Sequence, residues 1–271
     1  NALLTGDTNG TLKAWSTGGL IRLTNGATAA GTGATQLGNG SVGHKMATVA
    51  LETDTAAGTD GSITYLDQTA LKVGSILAGA STPVSAANAN PSNVGVVTGI
   101  TTVAGTTNGE VKVRAGTSGT HDLTIDKPVS TTSGTTGVAS GAVVLEAGGT
   151  ITLTAGAGAG TITTDSFGNA AAGDVFIHHL SGSTKAITLS NAISAKGGAT
   201  GVAGASSNGG VVTVWNEQGA ISADSTIEVS KNAAGTNDGA IGFKASGNIS
   251  DTSNALLTGD TNGTLKAWST G

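Results

Sequence analysis

Short apolar pairs spaced two residues apart recur through the second half of this chain, and they come in sets of three. Val143 and Leu145 are followed by Ile151 and Leu153 and then Ile162; Val175 and Ile177 are followed by Ile187 and Leu189 and then Ile193. Val212 and Val214 lead to Ile221 and then to Ile227 with Val229, while Ile241 and Phe243 lead to Ile249 and then Leu257. Residues i and i+2 of a strand face the same side, so each pair reads as a short strand with one buried face. The sets start at 143, 175, 212 and 241, spacings of 32, 37 and 29 residues, and Val111, Val113, Leu123 and Ile125 form an earlier set 32 residues before Val143. The first 110 residues are less regular, although GSITYL, TALKVGSILA and GVVTGITTVA carry the same strand character. Self-similarity at this period marks a repeat architecture. Three short strands per turn predict an all-β chain folded as a parallel β-helix, a β-solenoid in which each strand stacks about 4.8 Å from its equivalent in the next coil.

The competing expectation is an antiparallel β-sandwich, which also has many short strands at close spacing. Against it stand the shortness of these strands, the lack of the buried Trp and Cys landmarks, and the composition. Gly, Thr and Ala number 45, 44 and 41 of the 271 residues, with 3% aromatic and 11% charged. Such a chain has little to build a thick core from, but small inward residues suit a narrow interior. Disorder is disfavoured by the net charge of -5 and the 3 prolines, together with a mean hydropathy of +0.12. Stretches such as LETDTAAGTD lack the Gly at every third position that collagen needs. Asn-Gly occurs at 9, 25, 39, 108, 208 and 262, and each reads as a turn with positive φ available. KGGATGVAGASSNGG from Lys196 and SKNAAGTNDG from Ser230 read as loops inserted between strands, which explains the uneven spacing.

The two ends set the organisation. Residues 1–18 and 254–271 both read NALLTGDTNGTLKAWSTG, identical at all 18 positions at an offset of 253. A tandem array of period 253 or a chain that closes on itself would produce this, and the array is the better account. Residues 1–253 are then one solenoid unit of arbitrary phase, and 254–271 begin the next identical repeat. With about 8 coils of about 4.8 Å, one unit would advance about 38 Å; coils of about 20 residues would give about 60 Å.

GGVVTVWNEQGAISADSTIEVSKNAAGTNDGAIGFKASGNIS and GAVVLEAGGTITLTAGAGAGTITTD resemble the repeats of filamentous haemagglutinin-type adhesins, large bacterial surface or secreted proteins, over roughly residues 109–253. The shared form is G-x-V/I-x-L/V, a short polar turn, then G-x-I, a pattern that other right-handed β-helix proteins share. The resemblance implies a right-handed, elongated solenoid at the bacterial cell surface or outside the cell, used for attachment or as a stalk. The expected partners are identical units joined end to end, as a homopolymer or one giant chain, with a host or cell-surface ligand as a further class. Twelve Lys plus Arg spread singly leave no basic patch for nucleic acid, and no run of 18 apolar residues spans a membrane. The chain starts at Asn1 without a signal peptide and reads as an excerpt.

No catalytic, cofactor-binding or metal-binding residue is expected. The absence of Cys removes thiolate metal sites. His178 and His179 are consecutive in GDVFIHHLSG, so in a strand they face opposite sides and do not converge on a metal; His44 and His121 are isolated. Asp122 and Asp126 in HDLTID are the nearest approach to a carboxylate pair for glycoside hydrolysis. A β-helix carbohydrate-active enzyme is therefore the alternative function, with a ligand-binding adhesin module as another. The active faces of such enzymes gather several acids with Arg, Lys or aromatic residues, whereas this chain has two arginines, Arg22 and Arg114, one tyrosine, Tyr65, and no acidic cluster. Asp7, Asp260, Asn237 and Asp238 offer oxygen ligands in turns that match no EF-hand loop, and read as Asx turns rather than calcium sites. Thr150, Thr152 and Thr154 have the form of an ice-binding ladder, but the register is expected to stop at that one strand. AGAGAG at 155–160 reads as a turn. Trp15, its copy Trp268 and Trp215 are expected to anchor wide corners or the unit junction, a sugar platform being the weaker reading.

Overall fold

The computed structural model describes residues 11–17, 21–23, 44–54, 61–76, 97–102, 109–180, 182, 184–198, 202, 204–252 and 256–270, with Leu12 and Ala14 the described side chains of the first two strands. All described elements are strands. The less regular half contributes β1 (Thr11–Thr17), β2 (Ile21–Leu23), β3 (Thr48–Asp54), β4 (Ile63–Leu66), β5 (Leu71–Val73), β6 (Ser75–Ile76), β7 (Val97–Thr98) and β8 (Ile100–Thr102). Five triplets follow: β9 (Val111–Arg114), β10 (Leu123–Ile125) and β11 (Val129–Ser130); β12 (Val143–Ala147), β13 (Ile151–Leu153) and β14 (Ile162–Thr163); β15 (Val175–His179), β16 (Ile187–Leu189) and β17 (Ile193–Ser194). The last two are β18 (Val211–Asn216), β19 (Ile221–Ala223) and β20 (Ile227–Glu228), then β21 (Ala240–Ala245), β22 (Ile249–Ser250) and β23 (Leu257–Thr258), before a final β24 (Thr264–Ser269).

Each strand of a triplet pairs in parallel with its equivalent in the next triplet, which gives three files; the file of β9 runs from β2 and β4 to β24 as an 8-stranded sheet, and the files of β10 and β11 are joined through β5, β3 and β8 into a 14-stranded one. The pairings fall on the apolar positions of the sequence pattern. Val111, Val143, Val175, Val212 and Ile241 are successive partners in the 8-stranded sheet. Leu123, Ile151, Ile187, Ile221 and Ile249 stack likewise in the larger one, as do Val129, Ile162, Ile193, Ile227 and Leu257. These files and their neighbours form one continuous apolar cluster. Each fully buried Ile, Leu or Val contributes roughly 1.5–3 kcal/mol of transfer free energy. Among the described strands only β6 and β7 pair antiparallel, so the pairings go against the antiparallel sandwich. That pair packs Ile76 and Val97 with Ala50 in a second small apolar cluster.

The corner leading into the 8-stranded sheet shows what the small residues do. Gly109, Gly141, Gly173, Gly210 and Gly239 each precede the first apolar residue of a set by two positions. A Cβ on Gly141, Gly173, Gly210 or Gly239 would run into the carbonyl of the glycine one triplet earlier. Buried threonines face this column: Thr102, Thr131 and Thr164 donate their Oγ1 hydrogens to the carbonyls of Gly109 (2.8 Å), Gly141 (2.6 Å) and Gly173 (2.7 Å). The described glycines of the Asn-Gly pairs, Gly109, Gly209 and Gly263, are not among those with positive φ. A Cβ on Gly209 would strike the Val229 carbonyl. At Gly209 and Gly263 glycine is required by backbone crowding, and at Gly109 a Cβ would press on the Thr102 side chain; none of the three takes the left-handed turn expected from the dipeptide. Gly156 and Gly158 of AGAGAG do take positive φ, 114° and 68°, as a turn there requires.

Candidate functional site

In the 8-stranded sheet the residues that alternate with the core files point outward, and the register lines up one file of aromatic and charged side chains. Arg114, Glu146, His178, Trp215, Lys244 and Trp268 are successive partners on β9, β12, β15, β18, β21 and β24. The His178 ring stacks on the Trp215 ring at 4.5 Å with an interplanar angle of 21°, and Phe176 lies 5.4 Å from His178. Lys244 Nζ stands 4.5 Å from the Trp215 ring centroid and 5.4 Å from that of Trp268. Around the imidazole, Nδ1 is 3.3 Å from Glu146 Oε1 and Nε2 is 2.8 Å from Glu217 Oε1.

Burial alone would push the His178 pKa down, but the hydrogen bonds and charges of Glu146 and Glu217 outweigh it and leave the ring above the ordinary histidine value. Next along the strand, His179 is buried on the opposite face with Nε2 3.1 Å from the Gly148 carbonyl. There burial dominates over the opposing bonds to Gly148 and Asn216, and its pKa is lowered. The two imidazoles thus diverge, as their adjacency in a strand predicts. Trp215 has His178 on one side and Lys244 on the other, so its ring faces are taken by neighbours in the file. A sugar ring has no open face there. Trp215 also stands within a strand, not at the wide corner expected of it, while Trp268 lies in the last described strand with Lys244 on one side.

The other sequence candidates are dispersed. Asp122 and Asp126 flank β10. Asp122 Oδ1 accepts the Thr150 N–H at 2.7 Å, whereas Asp126 is paired with Lys72 at 2.9 Å and bonded by Thr154 at 3.3 Å. Those contacts, the Lys72 bond foremost, hold the Asp126 carboxyl below its usual pKa despite some burial. Each carboxylate therefore ties strands together, and neither faces the other across a cleft. His121 accepts the Ser118 N–H at Nδ1, 3.3 Å. Asp238 accepts from the backbone of Lys231 (3.0 Å) and Asn262 (2.6 Å), and Asp260 lies 3.4 Å from Lys231 Nζ. Asn237 donates its N–H to Asn208 Oδ1 at 2.9 Å. Among the described residues no group of three His, Asp or Glu side chains is arranged to hold a metal. Asp7 and the side chains of Trp15 and Arg22 lie outside the described residues.

The Thr152 register does recur, contrary to expectation. Thr124, Thr152, Thr188, Ser222 and Ser250 form an outward hydroxyl file. The flanking positions equivalent to Thr150 and Thr154 hold Asp122 and Asp126 in one triplet, Ala186 and Ser190 in another. The hydroxyls make a single file and not a flat threonine array.

Two features escaped the sequence reading. The outer file is visible only once the loop lengths between sets are absorbed into register, since its successive members lie 24 to 37 residues apart. The second is a buried cluster around Asp67, whose carboxylate accepts from Tyr65 Oη (2.8 Å), the Met46 N–H (2.9 Å), and Thr69 N–H (2.8 Å) and Oγ1 (2.7 Å). His44 bridges to Asp67 in the backbone ladder and its ring lies 5.8 Å from Tyr65. Burial first, and the Asp67 charge and hydrogen bond next, push the Tyr65 phenol far up; His44 is lowered by burial against the attraction of Asp67. A carboxylate with four donors on it is a structural hub. None of the described clusters places a nucleophile or a carboxylate pair in a cleft. The comparisons with known families, curated proteins and solved structures find no match for this chain.

Proposed function

We propose that this chain is a structural unit of a long extracellular fibre or adhesin stalk at the bacterial cell surface, built as a right-handed parallel β-helix with three strands per coil. The observation that carries the reading is the parallel pairing of each strand with its equivalent in the next triplet, sustained through five triplets. The supporting fact is the identity of residues 1–18 and 254–271. Repeating coils stack without limit as long as each presents an unpaired edge to the next, so the exposed edge that threatens a lone sheet becomes the device of assembly. The mechanism is mechanical: length from stacking, stiffness from continuous backbone ladders, and no chemistry asked of the side chains. The similarity to filamentous haemagglutinin-type repeats belongs to this proposal.

Electron microscopy and fibre diffraction of assembled units test it. Filaments with a reflection near 4.8 Å along the axis and a longer axial repeat of about 38–60 Å set by one unit are expected, with particle length growing with the number of units. Compact particles whose longest dimension is the same for one unit as for two would overturn it.

A further inference from the structure

We propose that TLKAWST is the splice strand between units: in a continued array each copy pairs through one edge with β21 of the unit before it and through the other with β3 of its own unit. This rests on the end-to-end reading above and adds the strands, the register and the relation between sheets.

The chain carries the segment twice, and each copy shows one half of the junction. As β24 it lies on β21, with Leu265 beside Ile241, Ala267 beside Phe243 and Trp268 beside Lys244. As β1 it lies on β3, with Leu12 beside Val49, Ala14 beside Leu51 and Trp15 beside Glu52. These two pairings use opposite edges of the same sequence. Thr264 and Thr270 donate their N–H groups to the carbonyls of Gly239 and Ala245. Backbone groups alternate in direction along a strand, so residues 264, 266, 268 and 270 face β21 while 265, 267 and 269 face away. On β3, the carbonyls of Ala47 and Val49 and the N–H of Leu51 are taken by Lys72, Gly74 and Gly99 on the β5 and β8 side. Thr48, Ala50 and Glu52 therefore serve β1, and they meet it through residues 12, 14 and 16, the counterparts of 265, 267 and 269.

The faces agree as well. Leu12 and Ala14 pack against the core cluster, and their counterparts Leu265 and Ala267 continue the inward files of Ile241 and Phe243. Joined through one shared strand, the files run Ile241, Leu265, Val49 and Phe243, Ala267, Leu51, apolar throughout. The need for such a cover is plain at the free edge of β24. Leu265 and Trp268 are each 57% exposed and Leu256 59%, and a groove of about 340 Å³ opens between Ile241, Val229, Leu257 and Leu265. Because β24 belongs to the 8-stranded sheet and β1 to the 14-stranded one, the smaller sheet of each unit runs on into the larger sheet of the next.

The test uses the chain extended by one further 253-residue unit, so that the central copy of the segment has both neighbours. The chain has no Cys of its own, and adjacent parallel strands lie within the Cα spacing of about 4.4–6.8 Å that a disulfide tolerates. One variant carries Lys244→Cys with Trp268→Cys; a second carries Trp268→Cys with Glu52→Cys in the second unit; a third, with Thr48→Cys in place of Glu52→Cys, is out of register. The first two are expected to oxidise fully and the third to stay reduced, as read by thiol titration and peptide mapping. Closure of only one of the first two pairs, or closure of the third in place of the second, overturns the splice and leaves the stacked coils standing. Failure of Lys244→Cys with Trp268→Cys in the 271-residue chain as well would remove the stacking itself.

Discussion

At the scale of single residues, glycine and threonine divide the work of one corner. The carbonyl-on-carbonyl approach at Gly141 and Gly173 leaves no room for a methyl group, whereas a Cβ on Gly242, which points outward from β21, would meet nothing nearer than 3.9 Å. Gly173→Ala is therefore expected to lower the stability by about 2 kcal/mol or more, and Gly242→Ala to leave it unchanged or slightly raised. Urea midpoints of the two variants decide it, and equal effects would refute the crowding argument. Thr131→Val removes the bond to Gly141 and should cost about 1 kcal/mol. His178 supplies a pH signature. Its pKa is raised in the fold by Glu146 and Glu217, so its stabilising contribution is complete below the unfolded value of about 6.5 and fades as the pH climbs through the folded one. His44 and His179, both lowered mainly by burial, act in the opposite sense and lose their contribution as the pH falls. The stability gap between the native chain and His178→Gln should accordingly narrow from pH 5 to pH 9. A gap independent of pH would mean that folding leaves the His178 pKa where it stands in the unfolded chain. The glycine column stood in the sequence two residues ahead of each set, but a single chain shows only that a glycine is there, and crowding by a residue about 30 positions away is a property of the stack.

The elements are short because each strand needs to supply only one or two inward side chains and the ladder above and below does the rest. Ile151 is fully buried between Leu123 and Ile187, while Thr152, one residue on, belongs to the outer hydroxyl file. Ile151→Ala should cost about 2–5 kcal/mol, and Thr152→Val should fall within about 0.5 kcal/mol of the native chain. Thermal unfolding of the pair reads this directly, and comparable losses would mean that the face assignment is wrong. On the outer file, Lys244→Met keeps the stem and removes the charge between the two Trp rings, an expected loss of about 0.5–1 kcal/mol. The triplets were legible because the period-2 pattern and the β-branched residues coincide at every set. The outer file was not, because its members obey no local period and acquire a common register only when loops such as residues 195–210 are spanned.

Across the whole molecule, protection should follow the stack. Amide exchange is expected to be slowest in β12 to β20, where every strand has a neighbour on both sides, and fastest in β24, which has one. In the chain extended by one unit the same segment, now between β21 and β3, should gain protection; unchanged exchange there would argue that its second edge stays open. The two copies of TLKAWS also show how far sequence identity goes. One lies on β3 and the other on β21 because a strand pairs with whichever edge is within reach, and the two positions offer different edges.

Strand positions, their inward and outward faces, and the grouping in threes follow from the sequence alone, since alternation of side chains along a strand is a local steric property. So does the 253-residue offset. Tertiary structure alone decided which residues meet across the stack: that His178 lies between Glu146 and Trp215, that Asp122 and Asp126 are spent on separate neighbours, and that the glycines form a column. Those contacts join residues about 30 positions apart through loops of unequal length, and only the hydrogen-bonded register of the sheets converts such separations into neighbours.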